Sequence, residues 1–151
     1  MTETFFETWQ TIVCRFNSPT EFVEKAKSIL EPNCISAFAG YLVSKAEFKL
    51  EFKIELVISG LPELGLENGV QVQPVTEKME IYGLTRMPFW AAAQIWLDHS
   101  QGPNSNLQLF VDCPGSFGGV VRLNRSRFNL ELQHPDFHCQ NNPQFVFARI
   151  G

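Results

Sequence analysis

From Ala46 to Leu56 apolar and charged residues alternate without a break. Ala46, Phe48, Leu50, Phe52, Ile54 and Leu56 take one set of positions, and Lys45, Glu47, Lys49, Glu51, Lys53 and Glu55 take the other. A helix would scatter these apolar residues around its circumference, whereas a strand places them all on one side. The pattern predicts a strand over residues 46–56 with one solvated face. That implies an antiparallel sheet, because parallel strands are usually covered on both faces.

Elsewhere the period is helical. Phe5, Phe6, Trp9, Ile12, Val13 and Phe16 predict a helix over 5–15, with Thr4 and Glu7 spaced as a capping box. Phe22, Val23, Ala26, Ile29 and Leu30 predict a second helix over 20–30. Ser18 caps it, Pro19 suits its first position, Glu21 answers the cap and Pro32 ends it. Phe89, Trp90, Ala93, Trp96 and Leu97 predict a third over 88–99, closed by Gly102 and Pro103. Cys34–Ser44, Val70–Gln73, Val75–Leu84, Leu107–Asp112, Val120–Asn124, Phe128–Gln133 and Gln144–Ile150 read as strands. Pro114-Gly115, Gly118-Gly119 and Asn124–Ser126 mark turns.

No repeat, low-complexity tract or long linker divides the chain, so residues 1–151 are expected to form a single domain. The predicted fold class is α+β. It is a single curved antiparallel β-sheet with the two N-terminal helices and the one inserted helix packed on its apolar face. A partly closed barrel is the competing arrangement, since an open sheet of this size leaves edges to protect.

Composition narrows the function classes. The chain is 44% hydrophobic and 19% charged, which excludes a disordered segment and a coiled coil. A formal net charge of −4 argues against a general nucleic-acid binder, whose phosphate contacts need a lysine and arginine surplus. No apolar run is long enough to span a bilayer. Met1-Thr2-Glu3-Thr4 carries acid where a secretory signal carries base. The cysteines at 14, 34, 113 and 139 form no CxxC pair, which excludes a zinc ribbon or thioredoxin-type motif. They read as reduced thiols in a cytoplasmic protein.

Four groups are candidates for chemistry. His134, Asp136, His138 and Cys139 are all metal-ligand types. On a continuous strand, however, the two histidines would stand about 13 Å apart, too far for one metal, and a polar turn is the plainer reading. Cys113 would be a nucleophile if His99 or His138 reached it; otherwise its segment is a hairpin loop. Asp98-His99 is either an acid–base pair or an ordinary polar helix end. Arg122, Arg125 and Arg127 are candidates for an anion clamp.

The aromatic content is the remaining lead: 14 Phe, 3 Trp and 2 Tyr, which build either a solid core or the walls of a pocket. A pocket between helices and concave sheet would use Trp9, Phe48, Phe52, Trp90 and Trp96, with Arg122 as polar anchor. Leu61, Leu64 and Leu66 would form an apolar lid or partner contact. The expected function is therefore a non-catalytic binding or accessory protein for a small hydrophobic ligand or a protein partner. It would need no cofactor, metal or catalytic residue. The alternative is a small enzyme with Cys113, His99 and His138 at the mouth of the same cavity.

Overall fold

The structure, a computed structural model, describes residues 6–29, 34–99, 107–113, 117–123, 128–139 and 143–149. Its first element departs from the apolar stripe. Thr8–Val13 is a strand, β1, not the helix expected over 5–15. Thr8, Thr11, Ile12 and Val13 are β-branched and favour a pleated surface. Burial alternates from Thr11 to Asn17: Ile12, Cys14 and Phe16 point inward while Val13 and Arg15 face solvent. Counting Val13 with the core is what created the helical stripe.

The helix α1 (Pro19–Ile29) forms as expected and buries Phe22 and Ala26. Glu21 N donates to Ser18 Oγ at 3.3 Å, and Glu21 Oε2 accepts from Asn17 N at 2.8 Å, so both capping residues act. Ala37–Lys45 is a helix, α2, not a strand. Ser36 caps it by accepting from Ala39 N at 3.1 Å, and Ala39 and Val43, four apart, face the core. The strand β2 runs over Lys53–Gly60, so only the second half of the alternating ladder is strand. Residues 46–52 turn instead, with Phe52 N donating to Lys49 O at 3.2 Å and Glu51 at φ 73°.

The two strands expected over 70–84 are replaced by a helix, α3 (Val72–Ile81), followed by the two-residue strand β3 (Leu84–Thr85). Val72, Val75 and Met79 are its buried face, at helical spacing, and Pro74 falls in the first turn where proline is tolerated. The helix α4 (Phe89–His99) forms where expected. The last strands are β4 (Leu107–Val111), β5 (Gly119–Arg122), β6 (Leu130–Leu132) and β7 (Gln144–Arg149). Phe5, Leu30, the Thr4 cap, the breakers Pro32, Gly102 and Pro103, and the turns Pro114-Gly115 and Asn124–Ser126 lie outside the described residues.

Among the described residues the sheet has seven strands, ordered β1-β2-β7-β4-β5-β6, with β3 also paired to β7. It is mixed and open, which corrects the antiparallel expectation and sets aside the barrel: β4 runs parallel to β7, and every other pair is antiparallel. β5 and β6 follow β4 on one side, so the final strand enters on the other, between β4 and β2. The single wet face is also corrected. On β7, Val146 and Ala148 join the core under α1, α2 and α4, while Phe145 and Phe147 join a second core with Val72, Val75 and Met79 of α3. The helices thus divide between two faces. No helix among the described residues is long and apolar enough to cross a membrane.

Candidate functional site

The space between the first-face helices and the sheet is filled. Trp96 stacks on Phe128 at 5.0 Å, and Phe22 on Phe48 at 5.8 Å. The concavity lies at the rim, where α2, the 46–52 segment, the start of α4 and the end of β4 meet. There an open groove of about 420 Å³ is bounded by Phe52 and Trp90, whose rings stand 6.4 Å apart at 34°. Leu42, Ala46, Pro88 and Phe89 complete its apolar surface. Tyr41, Lys45, Glu47, Asp112 and Cys113 form the remaining wall.

Local bonding fixes these walls. Met87 N donates to Phe110 O and Asp112 N to Met87 O, both at 2.8 Å, which ties the end of β4 to the approach of α4. Lys45 Nζ sits 5.8 Å from the Tyr41 ring centre and Lys49 Nζ 5.5 Å from that of Phe52, so the chain's own cations lie over two of the aromatic faces. The groove therefore offers a flat apolar surface with charges of both signs at its rim.

The structure brings two of the six expected pocket residues together, Phe52 and Trp90. Phe48 and Trp96 are buried core residues. Trp9 is half-buried on β1 and stacks with His99 at 5.9 Å. Arg122 lies on β5, away from the groove, and pairs with Glu131 at 3.4 Å. Tyr41, Leu42, Lys45, Ala46 and Glu47 were not legible as groove residues, because 34–44 reads as a strand until Ser36 is recognised as a helix cap. Leu61 and Leu64 are buried in the second core around a short 3-10 turn, and Leu66 is half-buried, so residues 61–66 present no apolar lid.

The chemistry candidates are scattered. Asp98 is held by Arg15 through two bonds of 3.0 and 2.5 Å, not by His99. Cys113 lines the groove, but neither His99 nor His138 does. Arg125 and Arg127 lie outside the described residues. His134 Nδ1 stands 3.8 Å from Asp136 Oδ2, with both side chains about three-quarters exposed (76% and 77%). Among the described residues no group of three His, Cys, Asp or Glu is placed to hold a metal. All four cysteines are buried thiols outside any disulfide, and burial pushes the Cys34 and Cys139 thiols up from their ordinary range.

No protein-family model, no curated protein and no solved structure matches this chain.

Proposed function

We propose that this protein is a non-catalytic binder of a small, flat, apolar ligand, and that the rim groove is its site. The observation that carries this reading is the Phe52–Trp90 wall of a groove whose volume of about 420 Å³ falls within the range of small-molecule sites. Leu42, Ala46, Pro88 and Phe89 extend the apolar surface, and Lys45, Glu47 and Asp112 orient a ligand at its edge. A thiol enzyme finds less support, because no histidine is among the described residues that line the groove.

A fluorescent apolar probe, anilinonaphthalene sulfonate, tests the reading. The native chain is expected to bind it saturably. Ala46→Trp, at a half-buried position with φ −74° and ψ 146° that any residue adopts, fills the groove and is expected to abolish binding while the fold persists. Leu132→Ser, at an exposed apolar position elsewhere, is expected to leave binding unchanged. Absence of saturable binding, or equal binding by Ala46→Trp, would overturn it.

A protein partner is the second reading, favoured by Phe38 and Tyr41 on α2. They are 40% and 60% exposed, one helical turn apart, and Tyr41 borders the groove. Phe38→Ser separates the two, since it leaves a small probe's binding intact and removes apolar area that only a larger partner would cover.

A further inference from the structure

A second recess opens on the other face of the sheet, and its floor is polar. Gln108 and Arg122 are cross-strand partners in β4 and β5, and Glu131 stands opposite Val120 in β5 and β6. These side chains therefore share a face, and Gln133, two residues beyond Glu131, extends from the same one. Residues 135–139 form the facing wall along 69–73: Val72 N donates to Phe137 O at 2.9 Å and Cys139 N to Val70 O at 2.7 Å. Between them lies a space of about 190 Å³ lined by Gln108, Arg122, Gln133 and His138, with Phe137 at its side.

One of these groups, Gln133, is oriented by a buried cation. Arg86, buried on this same face with its guanidinium over the Phe110 ring, donates from Nη2 to Gln133 Oε1 at 2.6 Å and from Nη1 to Gly119 O at 3.1 Å. With that oxygen engaged, the end of the Gln133 amide turned away from Arg86 is its NH₂ donor. Among the described residues no carboxylate lies within ion-pair distance of Arg86. Two guanidinium charges thus stand at or beside the recess: Glu131 pairs with Arg122 at 3.4 Å, and Asp112 acts on Arg86 from beyond ion-pair distance. His138 Nδ1 lies 2.8 Å from Gly69 O. A carbonyl only accepts, so Nδ1 carries the hydrogen and Nε2 of the neutral ring is left as an acceptor.

Donors on Arg122 and the Gln133 and Gln108 amides beside an acceptor on His138 suit an oxyanion that also carries a hydroxyl. We propose that this recess binds hydrogen phosphate, with its anionic oxygens on Arg122 and the Gln133 and Gln108 amides and its hydroxyl donating to His138 Nε2. Sulfate has the same shape but no hydroxyl at neutral pH, so it would fill the donors and face the His138 lone pair unpaired. Glu131 is the internal competitor for Arg122, so the free site is held partly neutralised until an anion displaces it.

Titration of the ¹⁵N-labelled full chain with sodium phosphate at pH 7, with ionic strength held by sodium chloride, tests this. Saturable shifts confined to amides of 119–123 and 131–139 are expected. Arg122→Gln, at an exposed position, is expected to weaken phosphate about tenfold or more, the worth of charge-assisted hydrogen bonds. Glu131→Gln is expected to strengthen it about threefold to fivefold by removing an exposed ion pair. Phosphate is expected to bind more tightly than sulfate, and His138→Ala to erase that difference. Shifts that are alike for phosphate, sulfate and chloride, that ignore Arg122→Gln, or that weaken in Glu131→Gln would overturn the proposal. Those results would mark only adventitious surface contact.

Discussion

Gln94 closes the outer edge of β1 at Val13. Its Nε2 donates to Val13 O at 2.8 Å while its Oε1 accepts from Arg15 N at 3.0 Å. A carbonyl and an amide two residues apart on one edge are the groups a further strand would pair. A buried side chain of α4 pairs them instead, which anchors that helix to the sheet and blunts one end of an edge open to association.

Gln94→Leu is therefore expected to lower stability by about 1–3 kcal/mol, since it leaves a partly buried donor and acceptor without their partner. Gln94→Glu separates hydrogen bonding from packing. A protonated carboxyl can donate to Val13 O and accept from Arg15 N, whereas a carboxylate can only accept. The folded state would then hold the proton more tightly than the unfolded one. Stability is present below the unfolded carboxyl range and lost as pH rises through the raised folded value. Urea unfolding at pH 5 and pH 8 is expected to show a larger deficit for Gln94→Glu at pH 8; equal deficits would refute the pairing.

The guanidinium of Arg86 lies 4.4 Å from the ring centre of Phe110 and 5.4 Å from that of Phe117. Gly118, at φ 137°, makes room for it: a Cβ there would fall 2.4 Å from Arg86 Cζ. Gly118→Ala is expected to cost about 3 kcal/mol or more, from backbone strain plus displacement of the stacked group. Gly65→Ala is the control, because Gly65 also has positive φ, at 76°, but nothing within 4 Å of its Cβ position. It is expected to cost only about 1–2 kcal/mol. Comparable losses in thermal unfolding would show that Gly118 serves the backbone alone.

Much of this architecture is legible in the residues, and the misses share a cause. α1 and α4 carry both an apolar stripe and chain-end signals. In β1 the same spacing misleads, because Val13 is an exposed apolar residue at 45% and only Ile12, Cys14 and Phe16 obey the strand's period. In α2 and α3 β-branched and aromatic residues suggest strands, while the decisive signals are single residues: Ser36 as cap and Pro74 in a first turn. The site is less legible still. Phe48 and Phe52 have the same identity and phase in the 46–56 ladder, yet the turn at Lys49–Phe52 sends one into the core and the other to the groove. Arg122 and His138 become neighbours only because 135–139 folds back along 69–73.

That same turn holds Glu51 at φ 73°, among the described residues the one non-glycine residue with positive φ. An L side chain there costs about 1–2 kcal/mol. Glycine removes that strain but gains freedom in the unfolded chain, so Glu51→Gly is expected to stabilise by about 0.5–1 kcal/mol. Chemical denaturation checks it; a clear destabilisation would mean that the Glu51 side chain holds the turn.

Alkaline pH offers the broadest test of the two cores. Burial raises the thiols of Cys34 and Cys139, so both stay neutral in the fold at pH values where an exposed thiol ionises. Cys34 is buried on the first-face side and Cys139 on the α3 side, so the effect samples both layers. With the folded value above the unfolded one, their contribution is fully present below the unfolded thiol range and is lost as pH rises through the folded value. Arg86 acts with the opposite sign. Burial, partly offset by Asp112, lowers it to about 10, so the fold gains relative stability as pH passes that value. Urea midpoints between pH 7.5 and 9.5 isolate the thiols. The native chain is expected to lose stability steadily across that window. The double variant Cys34→Ala, Cys139→Ala is expected to be less stable at pH 7.5, because two buried side chains are truncated, but to show a flatter slope. An unchanged slope would mean that neither thiol is linked to folding in this range.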